Sequence, residues 1–155
     1  MKSVLVTGAN GFCGAALCAR LVETRPDIRV VGLVRDRNFK SRRDILDKIS
    51  VVYGDLRDKN VIRYAISHYE IDTIFHLGAV TILRQSVVDP ITCFDTNVMG
   101  TWNLLEAARQ LGVKKVLFKS SDKAYGTYED LPYKETMGVQ ASADPYSTSK
   151  AMADL

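Results

Sequence analysis

Two periods of apolar and polar positions alternate along this chain. Short, continuous apolar runs occur at Val4-Leu5-Val6 and at residues 29–34, 49–53, 73–77 and 115–119. Runs of this length without alternation predict strands buried on both faces. Between them the spacing becomes helical, over residues 11–23, 41–47, 59–68 and 91–111. Ala15, Leu17, Leu21 and Val22 supply the apolar surface of the first helix. In the last, Val98, Trp102, Leu105, Ala108 and Leu111 recur at four-and-three spacing, which predicts its buried face. Met99, Trp102 and the nearby leucines read as core or as a dimer seam. Gly112 stands where a helix C-terminus is closed. Asp144-Pro145 opens a final helix, with proline at the first helical position. The stretch from 125 to 144 is long for a loop in a compact domain, and such loops tend to be functional.

Strand and helix in alternation, five times over, imply an α/β fold with a doubly wound parallel sheet of Rossmann type. The economical strand order is 3-2-1-4-5. At 155 residues, 46% of them hydrophobic and 25% charged, the chain suits one globular domain. A net charge of +3 argues against a nucleic-acid partner, and no apolar run approaches the roughly 20 residues of a spanning helix. The N-terminus runs straight into a strand without an apolar leader, so a cytoplasmic protein is expected. Cys13, Cys18 and Cys93 form no metal-ligand spacing, and His68 and His76 lie near none of them. Buried free thiols and no metal are expected.

The first strand is followed directly by Gly8-x-x-Gly11-x-x-Gly14, which opens the first helix. Glycines there permit a tight turn and close approach of the backbone to phosphate, with the helix N-terminus facing the anion. This points to a dinucleotide. The second strand ends in Val34-Arg35-Asp36-Arg37, which offers both an arginine for a 2′-phosphate and an acid for a ribose hydroxyl. Arg35 comes first and favours NADP; Arg35 and Arg37 also read as solvated loop charges. Asp55 follows the third strand and reads either as an acceptor for an adenine amino group or as a turn former capping the helix that begins near Asp58.

Tyr146 and Lys150 lie four apart on the final helix and share a face. An ammonium near a phenol favours phenolate, which lets the tyrosine act as a base. Ser120-Ser121-Asp122-Lys123 follows the fifth strand, at the edge where ligands bind in such sheets. Ser121 suits holding a reacting oxygen. Asp122 and Lys123 add an acid and an amine beyond what alcohol oxidation needs, or else form a self-capping loop. Asn97 reads as a water-mediated bridge between backbone and Lys150, or as a helix cap.

With these residues in view, the chain resembles an extended short-chain dehydrogenase/reductase of the nucleotide-sugar epimerase/dehydratase group. The resemblance covers essentially the whole chain, through T-G-A-N-G-F-C-G at 7–14, G-D-L-R-D at 54–58, H-L-G-A-V at 76–80, N-V-M-G-T at 97–101, S-S-D-K-A-Y-G at 120–126 and D-P-Y-S-T-S-K at 144–150. It implies NAD(P) held by Gly8, Asn10, Gly11, Phe12, Gly14, Arg35, Asp55, Leu56, Leu77, Ala79, Asn97, Tyr146 and Lys150. Ser121, Asp122, Lys123, Tyr146 and Lys150 are implied as catalytic. Ser-Asp-Lys, together with Tyr133-Lys134-Glu135-Thr136, is similar to the CDP-glucose 4,6-dehydratases. The resemblance thus implies transient oxidation at C4, proton removal from C5 by Lys123, loss of the C6 hydroxyl assisted by Asp122, and hydride return. A 4-epimerase or oxidoreductase of the same group, and a non-catalytic NAD(P)-binding module, remain alternatives. The family carries further strands and a substrate domain after the catalytic helix. Residues 1–155 are therefore expected to be an N-terminal part, inactive alone, of a homodimer paired through helices near 91–111 and 146–155.

Overall fold

The computed structural model describes residues 1–36 and 43–155. Arg37 and the first two positions of the 41–47 helix lie outside the described residues. Along the chain run β1 (Ser3–Thr7), α1 (Phe12–Thr24), β2 (Arg29–Val34), α2 (Arg43–Leu46), β3 (Ser50–Tyr53), α3 (Lys59–His68) and β4 (Thr73–His76). They are followed by α4 (Leu83–Val88), α5 (Pro90–Phe94), a π-helical turn (Asp95–Met99), α6 (Gly100–Gln110), β5 (Lys115–Phe118), a 3-10 turn (Asp122–Tyr125) and α7 (Pro145–Asp154). These residues fall into two compact units, Met1–Gly78 with Asn103–Lys119, and Ala79–Trp102 with Ser120–Leu155.

The first unit is the parallel sheet, in the order β3-β2-β1-β4-β5. Successive strand residues point to opposite faces, and both faces are covered. Leu5, Val31, Leu33 and Ile74 pack on one side with Ile62, Ala65 and Ile66 of α3 and Leu104, Ala107 and Ala108 of α6. Val4, Val6, Val30 and Val34 pack on the other with Cys18 and Leu21 of α1 and Leu46 of α2. Two-sided burial is why these strands read as unbroken apolar runs, and each fully buried aliphatic side chain contributes ~1.5–3 kcal/mol. Asp58 caps α3, accepting from the backbone N–H of Asn60 (2.9 Å) and Val61 (3.4 Å).

The second unit is helical, and much of its interior is polar: Ser86, Thr96, Asn97, Thr101, Ser147, Ser149 and Lys150 are all buried. Asp144 caps α7 by accepting from Ser147 N–H at 2.8 Å, ahead of Pro145. The long segment after the 3-10 turn is tied down by Gln140 N–H donating to Ala124 C=O (2.9 Å) and by stacked Tyr125 and Tyr133.

The structure corrects two expectations. The 91–111 helix is not one uniform α-helix, because the π turn at Asp95–Met99 separates α5 from α6. The predicted stripe also lies off the buried face: Trp102 is 66% exposed, Met99, Leu105 and Leu111 are exposed too, and of the stripe Ala108 alone is buried. Thr101, Leu104 and Ala107 take the buried positions instead. Of the three cysteines, Cys18 and Cys93 are buried free thiols, whereas Cys13 is partly exposed. Gly112 closes α6 as expected, at φ +70° with Val113 N–H donating to Ala108 C=O.

Candidate functional site

In the first unit the site begins with the turn between β1 and α1. Gly8 has φ +67°, and a Cβ there would come within 2.9 Å of Gly78 Cα. A Cβ on Gly14 would overlap the carbonyl oxygen of Gly8. Only glycine allows this packing. Gly11 donates its N–H to Gly8 C=O at 2.9 Å and is the N-cap of α1, with no side chain capping the helix and no acid in its first turn. The N-terminal amides are left for an anion, and the helix dipole adds to their attraction. Asn10 is half-buried beside them and Phe12 is 82% exposed. The turn therefore fits a pyrophosphate by its backbone alone.

Thr7 anchors the neighbouring strand end. Its Oγ1 accepts from Leu77 N–H (3.1 Å) and Gly78 N–H (2.9 Å) and lies 2.7 Å from Nδ1 of buried His76. A hydroxyl has two acceptor positions and one proton. With both positions taken by amides, the proton goes to Nδ1, which places the imidazole proton on Nε2. Leu77 is half-buried at this strand end, as is Ala79 at the start of the second unit.

Arg35 and Asp36 are exposed at the end of β2. Asp55 is held by Arg57, through its backbone N–H at 2.9 Å, Nε at 3.1 Å and Nη2 at 2.9 Å. Partial burial pushes the Asp55 carboxyl up, but these bonds and the charges of Arg57 and Arg35 outweigh it and hold the group below its ordinary range. Asp55 is not the cap of α3, which is Asp58. The side chain of Leu56 lies in the core.

The second unit brings together the remaining candidates. Tyr146 is half-buried on α7, and Lys150, one turn later, is only 4% exposed. Asn97 sits in the π turn and is buried. Its Oδ1 accepts from Val80 N–H (2.8 Å), and its Nδ2 donates to Val80 C=O (3.0 Å) and to Ser149 Oγ (2.9 Å). Ser149 in turn donates to the carbonyl of Tyr146 at 2.7 Å. Asn97 therefore bonds directly to the backbone of Val80 and to Ser149, and caps no helix.

Ser121 caps the 3-10 turn, accepting from Lys123 N–H at 3.2 Å, and it donates to Asp122 Oδ1 at 3.1 Å. Lys123 Nζ stands 3.6 Å from Asp122 Oδ2, with the two side chains 59% and 62% exposed. Acid and amine thus face each other on the solvent side of the turn. Among the described residues, no group of three or more His, Cys, Asp or Glu could hold a metal, and no helix is long and apolar enough to cross a membrane.

The sequence reading passed over Thr7 and Ser149. Each is a small hydroxyl residue beside a residue already singled out, Thr7 before Gly8 and Ser149 before Lys150. That adjacency was the available signal.

Comparison with known proteins agrees with this architecture. The family model for GDP-mannose 4,6 dehydratase matches residues 5–155, and the chain belongs to this nucleotide-sugar epimerase/dehydratase family. It is 34% identical over 149 residues to UDP-glucose 4-epimerase of Lacticaseibacillus casei, covering 96% of this chain and 44% of that protein. The structure of Thermus thermophilus UDP-glucose 4-epimerase in complex with NAD superposes with a TM-score of 0.84 at 32% identity, over 98% of this chain and 48% of that one. The dTDP-glucose 4,6-dehydratase of Streptomyces venezuelae, with NAD bound, gives 0.82 at 28% identity, over 98% and 49%. The chain spans about half the length of the curated relatives it matches.

Proposed function

We propose that this chain is the dinucleotide-binding and proton-transfer part of an NAD(P)-dependent nucleotide-sugar 4,6-dehydratase, its substrate domain lying outside residues 1–155. The observation that carries the reading is the Ser121-Asp122-Lys123 run, which sets an acid and an amine 3.6 Å apart on a turn capped by the serine. The backbone of Gly8, Gly11 and Gly14 cradles the pyrophosphate, with Asn10, Phe12, Asp55, Leu56, Leu77, Ala79 and Asn97 assigned to the rest of the dinucleotide. Arg35 speaks for a 2′-phosphate and the NAD of the relatives against it; affinities for the two dinucleotides measured side by side decide the matter.

When bound, the dinucleotide supplies the hydride acceptor and later donor. Tyr146 takes the proton of the sugar C4 hydroxyl, with Lys150 one helical turn away on the same face. Ser121 holds the C4 oxygen. A ketone at C4 acidifies the C5 hydrogen, and Lys123 removes it as the free amine. Asp122, as the free acid, protonates the departing C6 hydroxyl, which leaves as water.

The names of the relatives favour a second reading, a 4-epimerase, which needs Tyr146, Lys150 and Ser121 but no elimination pair. One experiment separates the readings: the protein carrying this chain is incubated with nucleotide sugars in deuterium oxide. A dehydratase yields a 4-keto-6-deoxy product with deuterium at C5, and Lys123→Ala loses that label while still binding dinucleotide. A C4 epimer without deuterium at C5 establishes the epimerase. Dinucleotide binding without turnover leaves a non-catalytic module.

A further inference from the structure

Thr148 lies on α7 midway between Tyr146 and Lys150, and a residue two positions away shares no helix face with either. Its Oγ1 accepts from Ser142 N–H at 3.0 Å and donates to Ser142 C=O at 2.7 Å. One hydroxyl, with its single proton and an acceptor position, thus satisfies both backbone groups of one residue. Two residues before Ser142, Gln140 N–H donates to Ala124 C=O at 2.9 Å. Ala124 belongs to the 3-10 turn that Ser121 caps and that carries Asp122 and Lys123. Gly126 closes that turn at φ +70°, and a Cβ there would come within 3.0 Å of Gln140 Cβ. Two residues after Ser142, Asp144 caps α7 through Ser147 N–H. Residues 140–144 therefore form a strap, fastened at one end to the turn and at the other to the helix.

From this arrangement we infer that Thr148 is a positioning residue, whose hydroxyl holds the strap on α7 and through it sets the Ser121-Asp122-Lys123 turn relative to Tyr146. Thr148 acts through Ser142 and Gln140 and takes no part in the proton transfers themselves. Placement matters because acid, base and reacting oxygen must meet at hydrogen-bond distance, and a shift of about 1 Å costs about a hundredfold in rate. The glycine turn that cradles the dinucleotide belongs to the other compact unit, so its affinity does not depend on the strap. The effect on turnover rests on the reading of Tyr146 and the Ser121 turn given above; the fastening of the strap does not.

The test compares Thr148→Val and Thr148→Ser in the protein carrying this chain. Valine keeps the shape of the side chain and removes both bonds; serine keeps the hydroxyl. Hydrogen–deuterium exchange mapped by peptide mass spectrometry is expected to quicken severalfold over residues 140–144 in Thr148→Val and to stay at the wild-type rate in Thr148→Ser. Turnover of nucleotide sugar per bound dinucleotide is expected to fall about tenfold or more in Thr148→Val, at unchanged dinucleotide affinity, and to recover in Thr148→Ser. Counting per bound dinucleotide removes any loss of folded protein, so a merely structural role leaves this ratio at the wild-type value. An unchanged ratio in Thr148→Val, unchanged exchange over the strap, or a Thr148→Ser protein no better than Thr148→Val overturns the inference. Gly126→Ala sets a methyl group against Gln140 at the other end of the strap and decides the matter if Thr148→Val does not fold. The same fall in turnover at unchanged affinity supports the inference, and wild-type turnover overturns it. A wild type that turns over no nucleotide sugar refutes the catalytic reading and the positioning role with it, whereas an active wild type with unaffected variants refutes the positioning role alone.

Discussion

The carboxamide of Asn97 and the hydroxyl of Ser149 meet at 2.9 Å, 52 positions apart in sequence, and through them the backbone of Val80 is joined to the carbonyl of Tyr146. A buried network of this kind is costly when half satisfied and rigid when complete. It ties the π turn to the helix that carries Tyr146 and Lys150.

Removing Asn97 leaves both polar groups of the Val80 peptide without this partner. Asn97→Leu is expected to destabilise by ~2–4 kcal/mol, since each buried polar group left unmade costs about 1–3. Ser149→Ala, which removes one hydroxyl, should cost ~1 kcal/mol. Urea denaturation monitored by fluorescence measures both; a neutral Asn97→Leu would show that the network does not hold this unit together.

Thr7→Val keeps the shape of the side chain but takes away the acceptor of the Leu77 and Gly78 amides. A loss of ~2 kcal/mol is expected. The same bonding scheme predicts the Nε2–H tautomer for His76 in the wild type, which nitrogen-15 shifts of the imidazole report directly. Finding the proton on Nδ1 would contradict the scheme.

Gly14→Ala places a methyl group against the Gly8 carbonyl, and Gly8→Ala puts an L-residue at φ +67° against Gly78. Both should weaken dinucleotide binding at least tenfold. The φ strain at Gly8 costs about 1–2 kcal/mol. Calorimetric titration with NAD, alongside a thermal melt, separates loss of the cradle from loss of the fold.

The Asp144 cap gives stability a dependence on pH. Partial burial raises the Asp144 carboxyl, but hydrogen bonds from Ser147 and Ser142 outweigh it and hold the group below its ordinary range. A depressed folded value means that the contribution is fully present above the unfolded value of about 3.9 and is lost as pH falls through the folded one. Asp144→Ala should cost about 1 kcal/mol at neutral pH and show a smaller loss of stability than wild type on acidification. Parallel acid titrations of the two proteins would contradict this.

Much of the fold could be read from local pattern. β2 and α3 fall on the expected residues because an unbroken apolar strand and an amphipathic helix each announce themselves within a few positions. The order β3-β2-β1-β4-β5 follows from the alternation of elements and the handedness of their crossovers. The 91–111 segment defeated the same logic. Its larger apolar residues keep a regular spacing, yet the covered face of α6 is the neighbouring one, with Thr101, Leu104, Ala107 and Ala108, and Trp102 is left in solvent. Spacing marks a helical face, and only tertiary packing decides which face is covered.

The site divides along the same line. By itself the sequence determined the parallel sheet, the glycine turn after β1 and the spacing of Tyr146 and Lys150, because each depends on residues adjacent in the chain or one helical turn apart. Only the tertiary structure decided that Asn97 reaches Ser149, that Thr7 satisfies the amides after β4, and that Lys119 rests against Cys13. Those partners lie 52 to 106 positions apart. Hydrogen bonds between such distant groups depend on how buried elements pack, which local periodicity does not encode.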